Sequence, residues 1–176
     1  MFCIMRDLKH FIEEVIDFPT KGINFKDITP LLSNAHAFST SINQISSIIE
    51  DHFPLCNIAG IEARGFIIGA AVANQYGMGF IPIRKEGKLP PPKVATYSTK
   101  EYGNDMLEVK ENPNDHKNIV IVDDVLATGG TLKATEKLLN NAGYFVKGAV
   151  TLIDLTYLHS EDYKIGGKPV YSLIKY

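Results

Sequence analysis

The chain has 176 residues and a mass of 19.5 kDa, which indicates a single domain. With 45% hydrophobic and 22% charged residues it has an ordinary globular composition, and a net charge of −2 argues against a general polyanion-binding surface. No apolar run reaches the ~18–20 residues of a membrane span, and we expect no secretory signal at the N-terminus. Two cysteines, Cys3 and Cys56, form neither a disulfide framework nor a zinc site, which favours a reducing, cytoplasmic setting.

The first 33 residues are predicted to form a cap outside the sheet, because they carry no strand signal. Residues 6–17 place apolar side chains at i, i+3, i+4 and i+7, which predicts an amphipathic helix. Residues 18–32 contain two prolines and a glycine and are predicted to be an ordered loop. A second helix is predicted over 35–51 and ends before Pro54.

From residue 58 onwards, short apolar strands alternate with helices. The predicted strands cover 58–61, 79–83, 118–122, 145–153 and 170–174, and the predicted helices cover 66–76 and 131–141. This alternation predicts an α/β fold whose parallel sheet is covered by helices on both faces. Residues 84–105 lack a core pattern and are interpreted as a flexible loop, a kind of segment that is often functional.

The most informative segment is the predicted strand 118–122, which is followed by Asp123 and Asp124 and then by a glycine turn. Ligands bind at the carboxyl ends of strands in open α/β sheets. The turn can direct several backbone N–H groups at one phosphate, with hydroxyls and a helix N-terminus beside them. It comprises Ala127, Thr128, Gly129, Gly130 and Thr131. Paired carboxylates would repel a phosphate but suit ribose hydroxyls or magnesium, so the segment indicates a phosphorylated sugar.

A glycine-rich surface turn is the plain alternative, but the whole segment resembles the phosphoribosyl pyrophosphate (PRPP) motif of type I phosphoribosyltransferases. The resemblance implies that Asp123 and Asp124 face the ribose hydroxyls and that residues 127–131 hold the 5′-phosphate. It also implies Mg²⁺ as the cofactor, held mainly through PRPP and without direct protein ligands.

Two further segments resemble adenine phosphoribosyltransferases on the pyrophosphate side. Glu62, Ala63 and Arg64 match the family's pyrophosphate loop, in which the arginine offers a fork of donors. Arg84, Lys85 and Lys88 match a mobile hood that closes over pyrophosphate, and Glu101 matches the position that handles a proton of the purine. Read alone, these segments are a surface turn and solvated lysines.

The N-terminal segment 18–32 resembles the base-binding hood of the same family. The resemblance implies that Phe25 stacks on adenine while groups near Ile23 and Lys26 read its edge; a core role for Phe25 is the alternative. This chain departs from the family pattern at Lys21 and Lys26, at the stiff prolines 90–92, and at residues 154–155, which are Asp-Leu rather than the common Glu-Leu.

The resemblance therefore implies the reaction of adenine and PRPP to AMP and pyrophosphate, with Arg64, Glu101, Asp123 and Asp124 as the catalytic set. It also implies a homodimer, and we expect neither a nucleic-acid nor a membrane partner. Two alternatives stay open at this point. One is a phosphoribosyltransferase for 6-oxopurines, and the other is a PRPP-binding regulator without activity.

Overall fold

The computed structural model describes residues 7–100, 103–111 and 117–176. Its eleven described strands are β1 (Glu13–Ile16), β2 (Asn24–Asp27), β3 (Asn57–Ile61), β4 (Phe80–Lys85), β5 (Lys93–Lys100), β6 (Gly103–Lys110), β7 (Asn118–Leu126), β8 (Phe145–Asp154), β9 (Lys164–Ile165), β10 (Lys168–Pro169) and β11 (Tyr171–Lys175). Its α-helices there are α1 (Thr29–Ser33), α2 (Ala35–His52), α3 (Arg64–Tyr76) and α4 (Gly130–Asn141).

A seven-stranded sheet organises the chain, with the strand order β11-β8-β7-β3-β4-β6-β5. The five strands from β11 to β4 are parallel, and β6 and β5 extend the sheet as an antiparallel pair. Alternate residues of β7 face opposite sides: Val120 and Val122 pack into one apolar core, whereas Ile119 and Ile121 pack into a second. Side chains of α2 and α3 fill the first core and those of α4 the second, so the predicted α/β sheet with both faces covered is confirmed.

The N-terminal region differs from its predicted structure. The predicted helix over 6–17 is wrong in its described part, because a short 3-10 turn at Leu8–Phe11 is followed by β1. The segment 18–32, predicted to be an ordered loop, contains β2 and the start of α1. Val15 and Ile16 are β-branched and suit an extended backbone, and the pairing of β1 with β2 outweighs the helical spacing. This pair forms a sheet of its own beside the main one.

The segment 84–105 also contains more regular structure than its composition indicates. β5 and β6 pair along their whole length, from Lys93↔Lys110 to Lys100↔Gly103. The many lysines and prolines of this segment interrupt the apolar alternation that would predict a strand. Leu107 and Val109 are nevertheless buried, and they pack β6 against the second core. The interpretation of 84–105 as a loop is therefore wrong for residues 84–85, 93–100 and 103–105, which belong to β4, β5 and β6.

The remaining predicted helices and strands are confirmed, with shifted ends. The largest shift is in β7, which continues past the predicted end at Val122 and carries Asp123 paired with Thr151 of β8. α3 begins at Arg64 and α4 at Gly130, each slightly earlier than predicted. Among the helices of the described residues, none combines the length and apolar character needed to cross a membrane.

Candidate active site

A cavity of about 320 Å³ opens at the carboxyl end of the parallel strands, and we call it the phosphate side. It brings together residues that are far apart in the sequence, from the turn after β3, the end of β7 and the turn into α4. Its walls are Ile61, Glu62, Ala63, Arg64, Lys85, Leu107, Asp123, Asp124, Val125, Leu126, Ala127, Thr128, Gly129, Gly130, Thr131 and Leu132. The predicted ribose, 5′-phosphate and pyrophosphate residues thus largely meet at one place.

The two adjacent carboxylates are buried beside a single arginine. Asp123 and Asp124 are only 8% and 5% exposed, and Arg64 Nε lies 2.7 Å from Asp124 Oδ2. Burial raises the pKa of both carboxyls; the neighbouring Asp124 raises that of Asp123 further, while Arg64 opposes the rise at Asp124. Two crowded, desolvated carboxylates are stabilised by hydroxyl donors or a cation, so this pair favours a ligand that supplies either.

Gly65 allows α3 to begin against the acidic pair. A Cβ built on Gly65 would lie 2.5 Å from Asp123 Oδ1 and 3.2 Å from the Val122 carbonyl oxygen. Only a residue without a side chain therefore allows Arg64, which precedes it, to reach Asp124. The preceding peptide bond, between Glu62 and Ala63, is cis.

Glu62 connects the β3 turn to the cationic segment after β4. Its carboxylate accepts hydrogen bonds from Arg84 Nε at 3.1 Å, the Lys85 backbone N–H at 2.9 Å and Lys88 Nζ at 2.6 Å. Burial alone would raise its pKa, but these donors outweigh burial and lower the pKa of Glu62 to about 2. Glu62 is thus an anion that positions the cationic residues predicted to bind pyrophosphate. Two of them, Arg84 and Lys88, are not wall residues of the cavity.

A second cavity, of about 370 Å³, adjoins the first, and we call it the base side. The two share Arg64, Val125 and Ala127 as wall residues. The other residues around it are Gly22, Ile23, Asn24, Phe25, Lys26, Leu155, Tyr157 and Leu158. A ligand that spans both cavities would place a phosphate group beside the glycine turn and an apolar ring beside Phe25.

Phe25 lies at the cavity wall and outside both apolar cores. It is half-buried, and the Arg64 guanidinium carbon lies 4.7 Å from the centroid of its ring. The Phe18 ring meets it edge-on, with the ring centroids 5.3 Å apart. Phe25 is therefore a cavity-wall residue rather than a core residue, and its stacking on a base stays a prediction.

Lys26 is placed differently from what a base-reading side chain would require. It is 7% exposed, and its Nζ lies 2.7 Å from Glu14 Oε2 and 4.1 Å from the centroid of the Tyr176 ring. Its ammonium group is therefore already paired with Glu14. The parts of Lys26 that remain for a ligand are its backbone and the aliphatic part of its side chain.

Sequence reasoning missed several wall residues and one contact behind the glycine turn. Val125, Leu155, Tyr157 and Leu158 line the base side, and Tyr163 donates a hydrogen bond to the Gly129 carbonyl. The sequence did contain an indication of Leu155, Tyr157 and Leu158, because residues 155–158 follow the carboxyl end of an apolar strand, where ligands bind in such sheets. No local pattern indicated Tyr163. Glu101, the predicted proton-handling residue, lies outside the described residues.

A parallel α/β sheet with an acidic pair, a glycine turn and a cation-rich edge at its carboxyl end defines a phosphosugar-binding protein. Residues 31–168 match the phosphoribosyl transferase domain family. The chain is 44% identical to adenine phosphoribosyltransferase of Thermoanaerobacter pseudethanolicus over 98% of this chain and 99% of the relative. The chain thus belongs to the phosphoribosyl transferase domain family and, within it, to the adenine phosphoribosyltransferases.

Solved structures agree with this assignment. The crystal structure of the Thermoanaerobacter pseudethanolicus enzyme superposes with a TM-score of 0.87 at 43% identity, covering 96% of this chain and 98% of that one. The Giardia lamblia enzyme complexed with 9-deazaadenine has a TM-score of 0.86 at 34% identity, covering 97% and 96%. The Saccharomyces cerevisiae enzyme, complexed with an imino-altritol bisphosphate and adenine, has a TM-score of 0.83 at 32% identity, covering 94% and 96%.

Proposed function

We propose that this protein transfers the phosphoribosyl group of PRPP to adenine, releasing AMP and pyrophosphate. The observation that carries the proposal is the pair of adjoining cavities, which share Arg64, Val125 and Ala127. One offers the glycine turn and the acidic pair, and the other offers Phe25 and apolar side chains. The named adenine phosphoribosyltransferase relatives support the same base and reaction, and the 6-oxopurine and regulator alternatives gain no support from them.

Residues of the phosphate side would position PRPP. The amide groups of residues 128–131, at the start of α4, would bind the 5′-phosphate, because the first N–H groups of a helix lack partners within it. Asp123 and Asp124 would accept hydrogen bonds from the ribose hydroxyls. Positioning of this kind lowers the barrier, since the two reactants are held in contact before any bond breaks.

The cations would stabilise the leaving group. As pyrophosphate departs, negative charge grows on its oxygens while the ribose carbon becomes oxocarbenium-like. Arg64 lies between the two cavities and can donate to the departing oxygens, and Arg84, Lys85 and Lys88 surround Glu62 nearby. The acidic pair lies close to the positive charge that develops on the sugar and would stabilise it.

The donor set of the phosphate side fits Mg²⁺ held mainly by PRPP. Two adjacent, buried carboxylates lie in its wall. Asp123 and Asp124 are the residues that would face the ion. When bound, Mg²⁺ supplies positive charge against the pyrophosphate oxygens.

Glu101 would manage the proton that adenine loses when N9 attacks. We expect Glu101→Gln to lower kcat more than it weakens PRPP binding, since only the transfer step involves that proton. Steady-state kinetics beside PRPP binding measures both, and an unchanged kcat under chemistry-limited turnover would remove Glu101 from the mechanism.

A panel of bases tests the proposed reaction. The protein is incubated with PRPP and Mg²⁺, and adenine, hypoxanthine, guanine, xanthine, uracil or orotate is supplied in turn while nucleotide formation is followed. We expect AMP from adenine alone, with loss of product when EDTA is added. IMP or GMP instead would preserve the phosphate side and overturn the assignment of the base side. PRPP binding without any product would indicate a regulator.

The assembly and the compartment belong to the same proposal. We expect a homodimer in the cytoplasm, as the family resemblance and the sparse cysteines suggest. Cys56 is a buried free thiol, and burial raises its pKa, which makes it a weak nucleophile. Sedimentation velocity at micromolar concentration tests the dimer, and a single species near 19.5 kDa would contradict it.

A further inference from the structure

Tyr163 packs directly behind the glycine turn that forms the phosphate side. Its hydroxyl donates a 2.6 Å hydrogen bond to the Gly129 carbonyl oxygen, which also accepts the Lys133 N–H at 3.0 Å. The tyrosine ring lies so close to Gly129 that a Cβ added there would collide with it. Tyr163 therefore contacts the turn through both its ring and its hydroxyl.

The hydrogen bond at Gly129 also determines the direction of the next amide group. In a trans peptide the carbonyl and the following N–H point in opposite directions, so a fixed Gly129 carbonyl fixes the Gly130 N–H. Gly129 has φ +85°, and glycine can adopt many other backbone conformations as well, so its own geometry does not hold the turn in this one. Without Tyr163 only the Lys133 N–H would hold the Gly129 carbonyl, and the amide groups of the turn would be less well ordered before phosphate binds.

Several groups in turn hold Tyr163 in place. The His159 ring packs against it, with the ring centroids 5.5 Å apart, and His159 Nε2 lies 2.6 Å from the buried Asp154 Oδ1. The segment that follows Tyr163 is held to α4, because the Gly166 N–H donates to Glu136 Oε1 at 2.7 Å. Burial and the nearby Glu136 charge raise the pKa of Tyr163, so its hydroxyl remains a donor at neutral pH.

We propose that Tyr163 is a positioning residue that holds the turn at Gly129 in the conformation that binds the 5′-phosphate. This inference rests on the proposed function. It concerns the phosphate alone, because Tyr163 is not a wall residue of either the phosphate side or the base side. Loss of its hydroxyl should therefore weaken the binding of PRPP and of ribose 5-phosphate without changing the binding of adenine.

The test compares Tyr163→Phe with Tyr144→Phe. Tyr144 is a buried tyrosine of the same apolar core whose hydroxyl donates to the Lys110 carbonyl, away from both cavities. For each variant, KM is measured for PRPP and for adenine, ribose 5-phosphate binding is measured by calorimetry, and the melting temperature is recorded. Amide hydrogen exchange at Gly130, followed by NMR in the ligand-free protein, reports on the turn directly.

We expect Tyr163→Phe to raise KM for PRPP and Kd for ribose 5-phosphate about three- to tenfold, the effect of one lost hydrogen bond. KM for adenine should stay within about twofold, and exchange at Gly130 should become faster by a similar three- to tenfold. Tyr144→Phe, which also removes one buried tyrosine hydroxyl, should leave KM for PRPP and the exchange at Gly130 unchanged.

Equal changes in KM for PRPP and KM for adenine in Tyr163→Phe, or an unchanged PRPP affinity, would overturn the role of Tyr163. The proposed reaction would still stand in that case, provided that the wild-type protein forms AMP. Unchanged exchange at Gly130 would overturn it as well, because the hydroxyl would then not order the turn. A wild-type protein that converts no base would instead overturn the proposed function, and the role of Tyr163 in phosphate binding with it.

Discussion

The two sides of the site are built in different ways. The phosphate side is largely local: β7, the glycine turn and α4 are consecutive in the chain, and residues 123–131 supply most of its wall. The base side is assembled from residues 22–26, Arg64, Val125, Ala127, Leu155, Tyr157 and Leu158, which meet only after folding. A local site is preserved as long as its own segment keeps its conformation, whereas an assembled site depends on how distant segments pack.

The electrostatics differ in the same way. The phosphate side combines buried carboxylates with several cations, and its charged groups are linked through Arg64 and Glu62. The base side is mostly apolar, and its lysine is paired with Glu14. Substitutions on the phosphate side should therefore change PRPP kinetics and pH behaviour, while those on the base side should change adenine affinity alone.

The largest effect is expected for Asp123→Asn combined with Asp124→Asn. The change preserves shape but removes both negative charges that would face the developing positive charge on the sugar. We expect kcat/KM for PRPP to fall about 10²- to 10³-fold, the range for a lost electrostatic contact to a transition state. Steady-state kinetics measures it, with the exposed Asp51→Asn as the control. A fall of less than threefold would remove the acidic pair from catalysis.

Phe25→Ala should affect the base side selectively. Stacking of a base on an aromatic ring contributes about 1–3 kcal/mol, so KM for adenine should rise about tenfold or more while KM for PRPP stays within about twofold. Phe145→Ala is the matched control, because Phe145 is exposed on β8 and lies outside both cavity walls. A parallel rise in both KM values would show that the two sides are not separable.

Gly65→Ala tests how tightly the phosphate side is packed. The added methyl group would press on Asp123 Oδ1 and the Val122 carbonyl, and we expect a loss of about 1–3 kcal/mol in the free energy of unfolding. Urea denaturation measures the loss. Gly79→Ala is the control, since its methyl group meets the flexible side chain of Asn57. Equal losses of unfolding free energy in the two variants would mean that the contact with Asp123 does not make Gly65 more sensitive to a methyl group than Gly79 is.

The smallest effect concerns Glu62 and appears as a pH dependence. Because its pKa falls from 4.5 to about 2 on folding, the ionised carboxylate stabilises the fold above pH 4.5, and this stabilisation is lost as pH falls towards 2. Glu62→Gln should lower the melting temperature at pH 7 by a few degrees. The difference in melting temperature between this variant and the wild type should become smaller as the pH is lowered from 4.5 to 2. A difference independent of pH would contradict the ionic role of Glu62.

The site residues differ in how far local sequence could reveal them. Asp123, Asp124 and residues 127–131 were recognisable because an apolar strand, two acids and a glycine turn form one continuous segment. Arg64 and Phe25 were recognisable only through family resemblance, since an arginine after a strand or a phenylalanine in a loop has no specific local meaning. Leu155, Tyr157 and Tyr163 were missed, because their contacts join segments about 30 or more residues apart.

The sequence by itself determined the α/β sheet with both faces covered and the phosphate turn, because apolar strands and glycine turns are short-range patterns. Only the tertiary structure decided that residues 13–16 pair with 24–27 and that residues 93–100 and 103–110 form strands, because strand pairing is a long-range interaction that outweighs local spacing. It also decided the neighbours of charged groups: Glu62 beside Arg84 and Lys88, Lys26 beside Glu14, and Tyr163 beneath Gly129. Hydrogen bonds and ion pairs act over a few ångströms in space, and the distance along the chain does not reveal them.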